Sequence, residues 1–350
     1  MQRVIHEYRN RSRVFTMIEA LYSYISDTEY MFESEDTLWL DNSFEKLDKI
    51  LDEKLVQYRK PLIKDFNFPK VDYKFSRKHE ITVCLSGGKD SAAAAFYYVK
   101  KGYKVHLYHA TGVNKAYGDE KNAAEKIAKY LKCDLYIDHI CLSGKHQFIE
   151  HPLKNYIIAN GALHYALAHN YRPVICFGNF NKSVLDMNEF DICGGDCIEM
   201  WDAYKDIMQN VIPDFDIEIP LETNADTFNL LSDDWELFTM SVSCMSPYRF
   251  RAHWKHRAEQ KYGVKLFDNR CGCCWKCVLE SAYLMDHDKQ PYNEKFYMHC
   301  MDILERTIYR ERGYPVETFQ EVWDNYMWYP IEESKAYHLI KNKRVKGGFH

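Results

Sequence analysis

One eleven-residue stretch constrains the fold more than any other: Ile81-Thr-Val-Cys-Leu-Ser86-Gly87-Gly88-Lys89-Asp90-Ser91, followed by four alanines. The first five residues are apolar or β-favouring and read as a buried strand. Gly87 and Gly88 allow a turn that few other residues can make. From Lys89 the run through Lys101 reads as a helix closed by Gly102. A strand feeding a glycine turn feeding a helix N-terminus gathers backbone N–H groups and the positive end of the helix dipole on one spot, which suits phosphate. The spacing is not that of a Walker loop, which places four residues between its first glycine and Gly-Lys-Ser/Thr.

Around that unit the pattern alternates strand and helix, which predicts a parallel sheet with helices on both faces. Expected strands are Lys104–Ala110, Asp134–Leu142 and Pro173–Phe177, with a short extended piece at Ile217–Glu222. Expected helices are Asp119–Lys132, one running from Pro152 to about Asn170, Ile198–Asn210 and Asp233–Thr239. Ligands of such sheets bind at the carboxyl ends of the strands. Ser86–Ser91, Thr111–Gly112 and Gly178–Asn181 all fall there. Leu185–Cys197 reads as a loop. Residues 1–76 contain no glycine and carry helical spacing at Val14–Ile25 and again over Ser43–Tyr58, so they read as a helical extension. Packed on the core that extension is a brace; otherwise it is an interface with a second copy or a partner. The sequence thus divides at 1–76, 77–230 and 231–350.

Bulk properties narrow the function. Lys and Arg number 46 against 51 Asp and Glu, a net charge of −5, so any nucleic-acid contact must be local. No apolar run approaches the ~20 residues of a membrane span, and the N-terminus lacks a signal-peptide core, which predicts a cytoplasmic protein without membrane contact. Twelve cysteines in that compartment point to metal or thiol chemistry. Cys271, Cys274 and Cys277 form a Cys-x2-Cys-x2-Cys run, and Cys244 supplies a fourth thiolate, with Cys273 as a spare. Zinc and an iron–sulfur cluster both accept this spacing, and unliganded or redox thiols are the third reading. Between Cys244 and the run lies a basic, aromatic insert, Arg249–Arg257, whose composition suits phosphates and stacked bases or a solvated helix face.

Ser-Gly-Gly-Lys-Asp-Ser resembles the signature of the N-type ATP pyrophosphatases, the PP-loop enzymes. Together with the cysteines, the stretch from Ile81 to Leu284 is similar to the 7-cyano-7-deazaguanine synthase family. Glu120 precedes a matching helix, His151-Pro-Leu-Lys-Asn155 resembles a Val-Pro-x-Arg-Asn segment, and Gly178-Asn179 stands at a matching strand end. Asp191-Ile-Cys-Gly-Gly-Asp196-Cys197 resembles the family's substrate loop, one residue shorter, without its Tyr-Pro, and with Ile198 in place of its final Arg. The resemblance implies a doubly wound, Rossmann-like α/β fold of the adenine nucleotide alpha-hydrolase kind. It implies a C–N-forming, ATP-dependent ligase using ATP, Mg²⁺ and Zn²⁺. Lys89, Asp90 and Ser91 are then catalytic. Ser86, Gly87, Gly88, Lys89, Asp90, Ser91, Thr111, Gly112, Asn155 and Gly178 hold the nucleotide. Asn179, Asp191, Asp196 and Cys197 hold a deazapurine carboxylate that receives ammonia, and Cys244, Cys271, Cys274 and Cys277 hold zinc. Divergent relatives attach such an acid to a macromolecule. Two rivals stand beside this reading: a PP-loop sulfurtransferase carrying sulfur on Cys193 or Cys197, and a non-catalytic ATP-binding subunit.

Overall fold

Short apolar runs separated by amphipathic helices fold here as the alternation predicts. A computed structural model describes residues 3–5, 29–34, 38–53, 62–65, 79–111, 119–139, 154–178, 198–221, 224–244, 246, 248–306 and 335. Its main sheet has five parallel strands: β4 (Glu80–Cys84), β5 (Lys104–Thr111), β6 (Asp134–His139), β7 (Val174–Cys176) and β8 (Asp216–Glu218). Their order is β6-β5-β4-β7-β8, with Ile81 opposite Val105, Thr82 opposite Ile175, and Leu107 opposite Leu135. Central β4 is buried along its whole length, whereas edge strand β6 alternates exposed and half-buried residues. That contrast is what a parallel sheet covered on both faces requires.

The crossover helices are α2 (Lys89–Lys100), α3 (Glu120–Leu131), α4 (Lys154–Ala168) and α5 (Ile198–Gln209). All begin or end within a few residues of the expected bounds; residues 140–142 and 152–153 lie outside the described residues. Aromatic side chains from α4 and α5 fill the core beside the sheet: Tyr156 lies 4.6 Å from Tyr204, and Trp201 lies 4.4 Å from Phe177. Gly161 of α4 is needed there, because a Cβ would stand 1.9 Å from the hydroxyl of buried Tyr108.

The N-terminal extension differs from its helical reading. It holds one described helix, α1 (Leu38–Glu53), and three short parallel strands, β1 (Arg3–Ile5), β2 (Glu29–Ser34) and β3 (Leu62–Asp65). The expected helix over Val14–Ile25 lies outside the described residues. Phe44, Leu47 and Leu51 of α1 are buried in the same core as the α5 aromatics, and Lys46 bonds Asp206 at 2.7 Å. The helix is therefore a brace, and its apolar face is consumed inside the chain.

Beyond the sheet follow α6 (Asn224–Ser232), α7 (Trp235–Met240), α8 (Tyr248–Tyr262), α9 (Trp275–Asp286) and α10 (Glu294–Arg306). The chain separates into two compact units, one of 1–86, 93–115 and 128–222, the other of 87–92, 116–127 and 223–350. No described helix is long and apolar enough to cross a membrane.

Candidate functional site

In the first unit the chain runs β4 to β5 to β6 in one direction, then returns to place β7 and β8 on the other side of β4. The reversal makes the carboxyl end of β4 the topological switch point, the place where open α/β sheets bind ligands. Leu85 extends the ladder by donating to the Tyr108 carbonyl at 2.8 Å, and Ser86 follows, exposed. Thr111 ends β5 and donates to the Asp138 carbonyl at 2.9 Å. Gly178 follows β7, and Asn155 lies in the first turn of α4. Gly112, Asn179, Asp191, Asp196 and Cys197 lie outside the described residues.

In the second unit the glycine turn leads into α2. Gly87 has φ +86°, and a Cβ on it would meet the Glu120 carbonyl at 2.5 Å and the Ala123 side chain at 3.1 Å. Only glycine satisfies both the backbone angle and the space. Ala92 N–H bonds the Gly88 carbonyl at 3.0 Å, and the Ser91 hydroxyl donates to the same carbonyl at 3.1 Å. Lys89 is buried, with its ammonium 2.6 Å from Asp90 Oδ1 and 5.4 Å from the centre of the Phe228 ring. The ammonium is thus held between a carboxylate and an aromatic face beside a helix N-terminus.

The four cysteines meet as the spacing suggests. The Sγ atoms of Cys244, Cys271, Cys274 and Cys277 all lie within 4.8 Å of one another, and Cys274 Sγ is 4.0 Å from Cys244 Sγ. Zinc–sulfur bonds of about 2.3 Å in a tetrahedron need sulfurs about 3.8 Å apart, so the quartet fits such an ion closely. Cys274 is the N-cap of α9 and Cys277 falls in its first turn, where the helix dipole favours thiolates. Cys271 accepts N–H bonds from Cys273 and Cys274 at 3.4 and 3.2 Å and a hydroxyl bond from Ser246 at 3.1 Å. Hydrogen bonds from Cys244 foremost, then Cys273, Cys274 and Cys277, hold the Cys271 thiol well below its ordinary value. Cys273 is spare, its sulfur 3.4 Å from Cys271.

Between these two features runs the extended segment Ser241–Cys244, which the sequence did not reveal as a link. Val242 N–H donates to the Gly87 carbonyl at 2.8 Å, and the Ser243 hydroxyl accepts from Lys89 N–H at 3.4 Å. One residue on, Cys244 joins the quartet. The segment is held from the other side as well: the Asn269 amide reaches the carbonyls of Thr239, Met240 and Ser241 at 3.1 to 3.3 Å, and Arg270 donates to Ser241 O at 2.8 Å. Arg270 pairs with Glu280, both fully buried. Removing one partner strands the other charge, so Glu280→Ala is expected to cost about 3–5 kcal/mol. Chemical denaturation of the metal-loaded protein measures it, and a loss below about 1 kcal/mol would exclude a buried, ion-paired state.

No family model matches the chain. Over 100 residues it is 38% identical to the 7-cyano-7-deazaguanine synthase of Sulfolobus acidocaldarius, a match covering 27% of this chain and 19% of that protein. Over 56 residues it is 41% identical to 7-cyano-7-deazaguanine synthase 2 of Sulfurisphaera tokodaii, covering 16% of this chain and 12% of that protein. The chain thus spans less than a fifth of the length of these curated relatives. Among solved structures, NMN synthetase from Francisella tularensis is superposable with a TM-score of 0.31 at 13% identity, over 69% of this chain and 89% of that one. The chain therefore carries a partial, distant similarity to 7-cyano-7-deazaguanine synthases, on a five-stranded parallel α/β scaffold with a four-cysteine centre.

Proposed function

We propose that this protein activates a carboxylate by adenylation. The observation that carries the reading is Ser-Gly-Gly-Lys-Asp-Ser at the topological switch point, with Gly87 held where no side chain fits. ATP is cleaved between its α and β phosphates. A carboxylate oxygen attacks the α phosphorus, the pyrophosphate leaves, and a nitrogen nucleophile then displaces AMP to form an amide. Adenylation is needed because a carboxylate is a poor electrophile and AMP is a good leaving group.

Lys89 neutralises charge that develops on the departing pyrophosphate, and the start of α2 supplies its dipole. Asp90 would hold Mg²⁺, which when bound would screen the phosphates. Ser91 fixes the turn through the Gly88 carbonyl. Thr111, Gly112, Asn155 and Gly178 serve the nucleotide. Zn²⁺ on Cys244, Cys271, Cys274 and Cys277 is structural, since four protein thiolates leave no open position.

The acid is of the 7-carboxy-7-deazaguanine type and the nucleophile is ammonia. The similarity to the two archaeal synthases supports this acid; Asn179, Asp191, Asp196 and Cys197 are its proposed contacts. Incubation with 7-carboxy-7-deazaguanine, ATP and ammonia is expected to give the amide or nitrile by mass spectrometry. An acid that is neither consumed nor bound removes the deazaguanine assignment.

A further inference from the structure

Helix α8 has a surface that the adenylation chemistry does not use. It carries Arg249, Arg251, Lys255, Arg257 and Lys261 against the single acid Glu259, in a chain whose net charge is −5. Phe250 and Trp254, 45% and 38% exposed, are four residues apart and so stand on one face, about 6 Å apart along the axis. Arg249 lies over the Phe250 ring at 4.7 Å and Arg257 over the Trp254 ring at 5.7 Å.

A cleft of about 480 Å³ opens on the other flank of α8, lined by residues that include Asn122, Lys126, Arg249 and Arg251. Two acids line it as well, and both are neutralised: Asp119 by Arg251 and Asp268 by Lys255. Lys126 and Arg249 make no ion pair among the described residues. Arg251 is only 3% exposed, and its Nε has no hydrogen-bond partner among the described residues. A buried guanidinium with an unused donor is costly unless an acceptor fills the site. Val242 and Ala123, which touch Gly87, also line the cleft.

We infer that this cleft and the face of α8 bind single-stranded nucleic acid. Successive phosphates of the strand meet Arg251, Arg249 and Lys126, and the bases stack on Phe250 and Trp254. Arg249 lines the cleft and lies over the Phe250 ring, so a strand crossing the exposed ridge of α8 at Arg249 reaches both. An acidic protein segment would engage the cations but would have no use for two exposed rings, whereas a nucleotide uses both. That the strand is the acceptor of the activated acid rests on the adenylation reading; that it binds does not.

The test is fluorescence anisotropy of the full-length, zinc-loaded protein with labelled oligothymidylate and oligoadenylate over a range of salt. Binding is expected, with log affinity falling against log salt at a slope of about −2 for three phosphate contacts. Trp254→Ala is expected to weaken it about tenfold and Arg249→Ala to make the slope shallower by about 1. Lys129→Ala, which removes an exposed charge of α3 outside the cleft, should change neither. Both ring positions are exposed, and circular dichroism checks that the variants fold. Absence of binding at low salt overturns the inference. So does unchanged affinity in a Phe250→Ala/Trp254→Ala protein, and so does polyglutamate that binds as tightly as the oligonucleotides, which would mark an acidic protein partner. AMP formation by the wild type, assayed without oligonucleotide, reports on adenylation separately.

Discussion

Gly87→Ala is expected to lower AMP formation by at least ~100-fold while the five-stranded sheet still folds. The reason is geometric. The backbone at Gly87 has φ +86°, and the added methyl would sit 2.5 Å from a backbone oxygen that belongs to α3 and cannot swing away. Relief requires the turn to shift by several tenths of an ångström, and Gly88 and Lys89 shift with it. Catalysis by positioned donors tolerates such displacement poorly, because their contribution depends on where charge develops in the transition state. Steady-state assay of AMP release, with circular dichroism as the control for folding, measures the effect. A variant retaining more than a third of wild-type activity would show that this turn does not position the reacting phosphates.

Removing the metal is expected to be the other large effect. The quartet has no competing structural support at its centre: Cys244, Cys271 and Cys277 are buried together, with Cys273 and Cys274 packed against them. Structural zinc contributes about 10–16 kcal/mol of apparent binding energy in small zinc-bound domains, and that energy is folding energy. Cys277→Ser, or chelation, should therefore lower the melting temperature by more than about 10 °C. It should also release Ser241–Cys244, and with it the bonds from Val242 to Gly87 and from Lys89 to Ser243, so ATP binding falls as well. Cys273→Ser is the control, since its sulfur lies outside the quartet, and metal content should stay at one ion per chain. Equal metal loss from Cys273→Ser and Cys277→Ser would mean a different ligand set. Iron in the purified protein, with visible absorption under anaerobic handling, would replace zinc by a cluster and favour the sulfurtransferase.

The parts of this molecule legible in the sequence are those whose cause is local. The strand, glycine turn and helix of 80–100 need only a run of β-branched residues, two glycines and four alanines, all adjacent. The alternation from β4 to β8 follows from period and punctuation. The cysteine spacing identified the quartet because Cys274 and Cys277 belong to one helix start.

Contacts between distant residues were not legible. Arg251 reads as one more base in an exposed insert, yet it is buried because Asp119, 132 positions earlier, pairs with it. Nothing in Ser-Val-Ser-Cys announces that its backbone braces the glycine turn. The strands of the N-terminal extension were missed for a different reason. Arg3–Ile5 and Leu62–Asp65 are three and four residues long, and Glu29–Ser34 begins and ends with polar residues, so no window holds a two-residue period. Their pairing with one another, not their own sequence, makes them strands.

Under the proposed function, a carboxylate oxygen attacks the α phosphorus of ATP on the Ser86–Ser91 turn. The most direct measurement uses 7-carboxy-7-deazaguanine labelled with heavy oxygen in its carboxylate, with ATP and ammonia, and mass analysis of the nucleotide product. Adenylation predicts pyrophosphate and AMP carrying one labelled oxygen, the atom left behind when nitrogen displaces the acyl group. Unlabelled AMP would mean that water, not the acid, attacked, and ADP with orthophosphate would mean that ATP is cleaved at the γ phosphorus and no acid is adenylated.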